Sequence, residues 1–120
     1  MKIFVYGTLK RDGGAYSLME AAEGKFLKTV RTTKDYELFV TDGGFPGMKK
    51  RLTEVEGNGV LGEVFEVNPS KTGRMDGYEG IPYLFQRKTV ELEDGDTALA
   101  YVFNHEVDPA NLVTAGVWNN

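Results

Sequence analysis

The chain has 120 residues, 41% of them apolar and 12% aromatic, with a formal net charge of −4. That composition fills the core of one domain, leaves too little chain for two, and excludes a disordered segment. With no cysteine there are no disulfides, thiolate nucleophiles or cysteine-held metals, and mixed charge without a basic face argues against nucleic acid.

Lys2 to Tyr6 is a short apolar run that predicts a buried strand ending at Gly7. It is far too short for a signal peptide or a membrane span, so a cytoplasmic location without a membrane partner is expected. Lys10 to Gly14 reads as a polar, glycine-rich loop. Leu18, Met19 and Ala22 space a short helix over Ala15 to Glu23, with Gly24 as its cap. Strands follow at Lys25 to Thr33 and Tyr36 to Val40, then a turn at Thr41-Asp42-Gly43-Gly44. Met48 to Thr53 predicts an edge strand whose Lys49, Lys50 and Arg51 form a solvated rim.

Val60 to Val67 is apolar on both faces, the pattern of a central strand. Asn68 as N-cap and Pro69 at the first helical position open a second helix that runs to about Tyr78. Gly73 and Gly77 weaken it by roughly 1 kcal/mol each, and Gly80-Ile81-Pro82 breaks it. Phe85 to Leu92 and Thr97 to Phe103 read as a hairpin across Asp94-Gly95. The tail from Asn104 is irregular, with Trp118 as an anchor. Strands outnumber helices, and the expected fold is a small mixed α+β domain or irregular barrel spanning residues 1–120.

The chemistry-bearing residues are few. One histidine, His105, in a polar stretch after a strand, supplies neither a triad nor a histidine-rich metal site, and no loop has calcium-ligand spacing. The turn Tyr6-Gly7-Thr8-Leu9 is a stronger candidate. Glycine after a buried strand lets the backbone approach a ligand, and successive N–H groups can hold an anion without a basic side chain. The turn lacks the Gly-Lys-Ser/Thr ending of a nucleotide-binding loop, and taken alone it reads equally as structural. Glu79 follows the second helix between Tyr78 and Gly80-Ile81-Pro82. An apolar setting raises a carboxyl pKa towards neutrality, which suits a group that takes and gives a proton. The plain alternative is a surface glutamate at a helix end. Asp76, three positions earlier, shares its helix face and reads as structural.

Taken in order, these segments resemble the gamma-glutamylcyclotransferase-like family, including the gamma-glutamylamine cyclotransferases. Tyr6-Gly7-Thr8-Leu9 after an N-terminal strand is similar to that family's opening signature. Tyr36-Glu37-Leu38 with Gly43-Gly44-Phe45-Pro46-Gly47, the strand segment Gly62-Glu63-Val64-Phe65, the run Met75-Asp76-Gly77-Tyr78-Glu79-Gly80, and Gly116-Val117-Trp118 match further family segments. There are departures. Phe85-Gln86-Arg87 stands where the family has Tyr-x-Arg, so a phenol hydroxyl is missing. Met75 replaces a leucine, and Lys10 to Gly14 differs in spacing.

The resemblance implies a barrel-like α+β fold, Glu79 as the catalytic glutamate, a general acid/base, and Tyr6, Gly7, Thr8 and Leu9 as the substrate cradle. It implies cyclisation of a γ-glutamyl group to 5-oxoproline with release of an amine, without metal or organic cofactor. The substrate's own α-amine is then the nucleophile, and Glu79 carries the proton. Arg87 and Tyr83 are accessory candidates: Arg87 to contact an acidic substrate or form a structural ion pair, Tyr83 to stand in for the missing hydroxyl. The alternative is a binding or regulatory module that keeps the fold without turnover.

Overall fold

A computed structural model describes all residues from Met1 to Asn120. Seven strands carry the fold: β1 (Lys2–Val5), β2 (Lys25–Arg31), β3 (Tyr36–Val40), β4 (Pro46–Lys50), β5 (Leu61–Glu66), β6 (Phe85–Glu91) and β7 (Thr97–Phe103). Two helices, α1 (Tyr16–Ala21) and α2 (Gly73–Tyr78), and two 3-10 turns, Pro69–Lys71 and Pro109–Asn111, complete it.

The sheet runs β2-β5-β1-β7-β4-β3, with β6 along the other edge of β7. A bridge between Thr32 and Leu92 joins the end of β2 to the end of β6. It closes β2, β5, β1, β7 and β6 into a ring, the barrel the composition suggests, while β4 and β3 flare away as a ribbon. On the flared side, β1 pairs with β7 at Leu99 and Ala100, and β4 takes over at Val102. The sheet therefore splits at Tyr101, and the candidate site lies at this split.

Alternation in β1 and β7 divides the core in two. Phe4, Tyr6, Val64, Val90, Ala98 and Ala100 point into the barrel, where the small alanines make room for the rings. Ile3, Val5, Phe65, Tyr101 and Phe103 point outward and are covered by Met19 of α1 and Met75 of α2.

Several boundaries differ from the sequence reading. The first helix is one turn shorter, and Glu23 rather than Gly24 takes the left-handed conformation after it (φ 58). The second splits into the 3-10 turn, which Asn68 caps through the Ser70 amide, and the separate helix α2. β4 begins at Pro46, pairs on both sides with β3 and β7, and is no edge strand. The Arg51 amide still bonds the Asp35 carbonyl, and Leu52 and Thr53 then leave the sheet because their amides turn to the Glu37 carboxylate. The basic cluster is engaged locally: Lys49 bonds the His105 carbonyl, Lys50 lies 5.0 Å from the Tyr36 ring, and Arg51 bonds two loop carbonyls. No helix is long and apolar enough to cross a membrane.

Candidate active site

Where β1 leaves the sheet, Tyr6 turns inward. Its hydroxyl donates to the Tyr101 carbonyl at 2.6 Å and accepts from the Met48 amide at 3.1 Å. A side chain thus replaces the ladder bond that the split between β7 and β4 leaves open. Burial raises the Tyr6 phenol well above its ordinary value, more than the Met48 amide lowers it, and the nearby Glu79 carboxylate adds to the rise.

The chain then loops back on itself. The Gly7 carbonyl accepts from the Lys10 amide at 3.2 Å and from the Asn120 side chain at 3.0 Å, and the Thr8 carbonyl accepts from the Ala15 amide at 3.0 Å. The amides of Gly7, Thr8 and Leu9 donate to nothing within the chain. Neighbouring contacts pin the loop: Lys10 bonds the Trp118 carbonyl, and Arg11 pairs with Glu63 while its guanidinium lies 3.6 Å from the centre of the Phe26 ring. Gly7 is glycine by close approach, since a Cβ there would stand 2.9 Å from the Pro46 ring.

Opposite this loop is the end of α2. Gly80 takes φ 66, its amide bonds the Gly77 carbonyl, and the Ile81 amide reaches back to the Asp76 carbonyl. This paired arrangement with a left-handed glycine is the Schellman motif, and it fixes Glu79 as the helix C-cap. The Glu79 carboxyl accepts no hydrogen bond from the chain, and burial alone pushes it up to about 7.

Between the loop and Glu79 is a cavity of about 260 Å³ lined by Tyr6 to Leu9, Tyr78, Glu79, Tyr101 and an apolar wall of Val5, Phe45, Pro46, Leu84 and Phe85. That is just under the ~300 Å³ at which pockets for drug-sized ligands begin, and suits a molecule of amino-acid size. Glu79 is the one charged residue in the lining. The Thr8 and Tyr78 hydroxyls meet at 2.9 Å, tying the loop to α2.

A model of the gamma-glutamyl cyclotransferase, AIG2-like family matches residues 3–120. The chain belongs to this family. It is 32% identical over 114 residues to gamma-glutamylaminecyclotransferase A of Danio rerio, covering 87% of this chain and 68% of that protein. The crystal structure of an AIG2-like protein from Mus musculus superposes with a TM-score of 0.71 at 25% identity, covering 98% of this chain and 87% of that one. The same fold occurs in Kluyveromyces lactis allophanate hydrolase (TM-score 0.73, 18% identity), where 87% of this chain matches 17% of that one. At that identity the likeness shows the fold alone.

Within this gamma-glutamyl cyclotransferase fold, Tyr6 to Leu9 and Glu79 converge on one cavity. The Tyr6 hydroxyl is held between two backbone partners, with its one proton committed to the Tyr101 carbonyl. The two accessory candidates stand elsewhere. Tyr83 is 83% exposed, outside the cavity lining, and its hydroxyl bonds nothing. Arg87 pairs with Asp76 at 3.5 Å and bonds Thr72 at 3.3 Å, also outside the lining. Phe85 fills the place of the family's tyrosine with a buried ring packed against Phe45 and Phe103 at 5.9 and 5.3 Å.

Sequence reasoning did not select Tyr78, Tyr101 or the Phe45–Pro46 wall as lining residues. Tyr101 was within reach: the two-residue period of Thr97 to Phe103 puts Leu99, Tyr101 and Phe103 on one face. Phe45 and Pro46 come into the site only because β4 packs beside β7 at the split. No group of three or more His, Cys, Asp or Glu is placed to hold a metal ion.

Proposed function

We propose that the protein cyclises a γ-glutamyl amide to 5-oxoproline and releases the amine. One observation carries this reading: an unpartnered carboxyl, pushed up to about 7, lines one cavity of amino-acid size together with a loop of three unpaired backbone amides. A carboxylate poised near neutrality accepts a proton and returns it within one turnover.

In this mechanism Glu79 takes a proton from the substrate's α-ammonium group. The freed amine attacks the γ-carbonyl carbon, and a C–N bond forms. The amides of Gly7 to Leu9 bind the α-carboxylate or the oxyanion that develops. Glu79 then protonates the leaving nitrogen, and the original C–N bond breaks. Two protons leave the α-nitrogen in all, and both end on the departing amine, so the reaction needs no co-reactant. The cavity walls hold the chain folded for five-membered ring closure, which removes an entropy barrier.

The test measures 5-oxoproline released from γ-glutamyl-lysine, γ-glutamyl dipeptides and simple γ-glutamyl amides, with wild-type protein beside Glu79→Gln. Product from wild type and not from the variant supports the reading. A folded variant that turns over at the wild-type rate overturns the role of Glu79. The second reading, a binding module, is favoured by one feature, the loss of the phenol hydroxyl at Phe85. Calorimetric binding of γ-glutamyl compounds with no product from any of them would establish it.

A further inference from the structure

The mechanism above gives the α-ammonium group one partner, Glu79, yet the cavity holds a second acceptor. Tyr101 lines it, and its hydroxyl donates to Asp76 Oδ1 at 2.7 Å. Asp76 in turn pairs with Arg87 at 3.5 Å and accepts weakly from Thr72 at 3.5 Å. An ionised carboxylate only accepts hydrogen bonds, so the phenolic proton is committed to Asp76. The Tyr101 oxygen is left with lone pairs and no donor within the chain. Asp76 also places negative charge directly behind it. The remaining phenols of the cavity donate to no carboxylate: the Tyr6 hydroxyl is held between two backbone partners, and the Tyr78 hydroxyl shares a bond with Thr8 in which either oxygen can donate.

We infer that Tyr101, its proton held by Asp76, is a binding residue that accepts a hydrogen bond from the substrate's α-ammonium group. This rests on the γ-glutamyl reading above and adds an orientation to it. Donors on the loop at Gly7 to Leu9 meet the α-carboxylate, and acceptors at Tyr101 and Glu79 meet the ammonium. Once Glu79 has removed one proton, the N–H still held by Tyr101 fixes the direction of the nitrogen lone pair. Arg87 therefore acts through Asp76, as a positioning residue, without touching substrate.

The test compares two ligands that differ only in the α-amine: γ-glutamyl-benzylamide and its deaminated analogue N-benzylglutaramic acid. Affinities are measured by calorimetry in the Glu79→Gln background, where turnover is suppressed. A hydrogen bond to a charged group predicts a preference of about tenfold or more for the amine-bearing ligand. Tyr101→Phe should reduce that preference to near unity. Asp76→Ala, which removes the acceptor and frees the phenolic proton to face the cavity, should also reduce it with the tyrosine ring retained, and it serves if Tyr101→Phe fails to fold. A merely structural Tyr101 would weaken both ligands equally. A folded variant that keeps the full preference overturns the inference while leaving the γ-glutamyl reading intact. Failure of the background protein to bind either ligand at millimolar concentration overturns that reading, and this inference with it.

Discussion

Glu37 on the flared ribbon and Glu79 at the cavity are both glutamates drawn out of water, and their surroundings treat them oppositely. Glu37 is 8% exposed and accepts the amides of Leu52 and Thr53 at 2.6 and 3.0 Å, together with the Thr53 hydroxyl. Burial pushes its pKa up, but these three donors outweigh burial and hold it below the ordinary value. Glu79 has no such donors, and burial pushes it up to about 7. Desolvation is common to the two; hydrogen bonding to the charged form separates a structural carboxylate from one poised to exchange protons.

The contrast can be broken most sharply at turnover. Glu79→Gln should lower kcat by about 10²–10⁴-fold, the range for losing a positioned acid–base group, whereas Glu37→Gln should leave kcat of the folded protein within about twofold, because it reaches no lining residue. Steady-state release of 5-oxoproline measures both. The pH dependence follows: kcat/KM should fall about tenfold per pH unit below about 7, as Glu79 becomes protonated. A flat profile between pH 5 and 7 would remove Glu79 as the base.

Stability should move in the other direction. Glu37→Gln loses charge-assisted bonds to part-buried donors and should cost about 1–2 kcal/mol in denaturant unfolding at neutral pH. The stabilisation from Glu37 is present above the ordinary carboxylate range and is lost as pH falls through its lower folded value. For Glu79 the sign reverses. Between about 4.5 and 7 the folded state keeps a proton that the unfolded state has released, so stability falls as pH rises through that window. Glu79→Gln should therefore stabilise the fold by about 1–2 kcal/mol at pH 8, allowing for cavity water, and by almost nothing at pH 4. Unfolding curves at the two pH values read the difference. The smallest effect belongs to Tyr83, which is 83% exposed with no partner for its hydroxyl: Tyr83→Ala should change stability by less than about 0.5 kcal/mol and leave turnover unchanged.

Much of this arrangement is written locally. The Phe85 to Phe103 hairpin is legible from alternation and the Asp94-Gly95 turn, because pattern and turn chemistry agree. The Gly80 stop is legible because glycine alone takes the left-handed cap without strain. The end of β4 is not, since Leu52 and Thr53 leave the sheet only because Glu37, fifteen or sixteen residues earlier in the chain, draws their amides away. Arg87 has two readings in the sequence, a substrate contact or a structural ion pair, and Tyr83 one, a substitute for the missing hydroxyl. The strand period turns Arg87 towards Asp76, and the loop after Gly80 leaves Tyr83 in solvent.

The sequence by itself determined the strand-rich fold, the glycine turn after β1 and the carboxylate after α2, since each depends on residues adjacent in the chain. Only the tertiary structure decided that the two face one cavity. The sheet splits at Tyr101, the Tyr6 hydroxyl bridges the gap, and β4 brings Phe45 and Pro46 to the wall. The partners of each carboxylate are set in the same way, by contacts between distant segments that no local pattern encodes. That is why Glu37 and Glu79, alike as letters, differ in protonation.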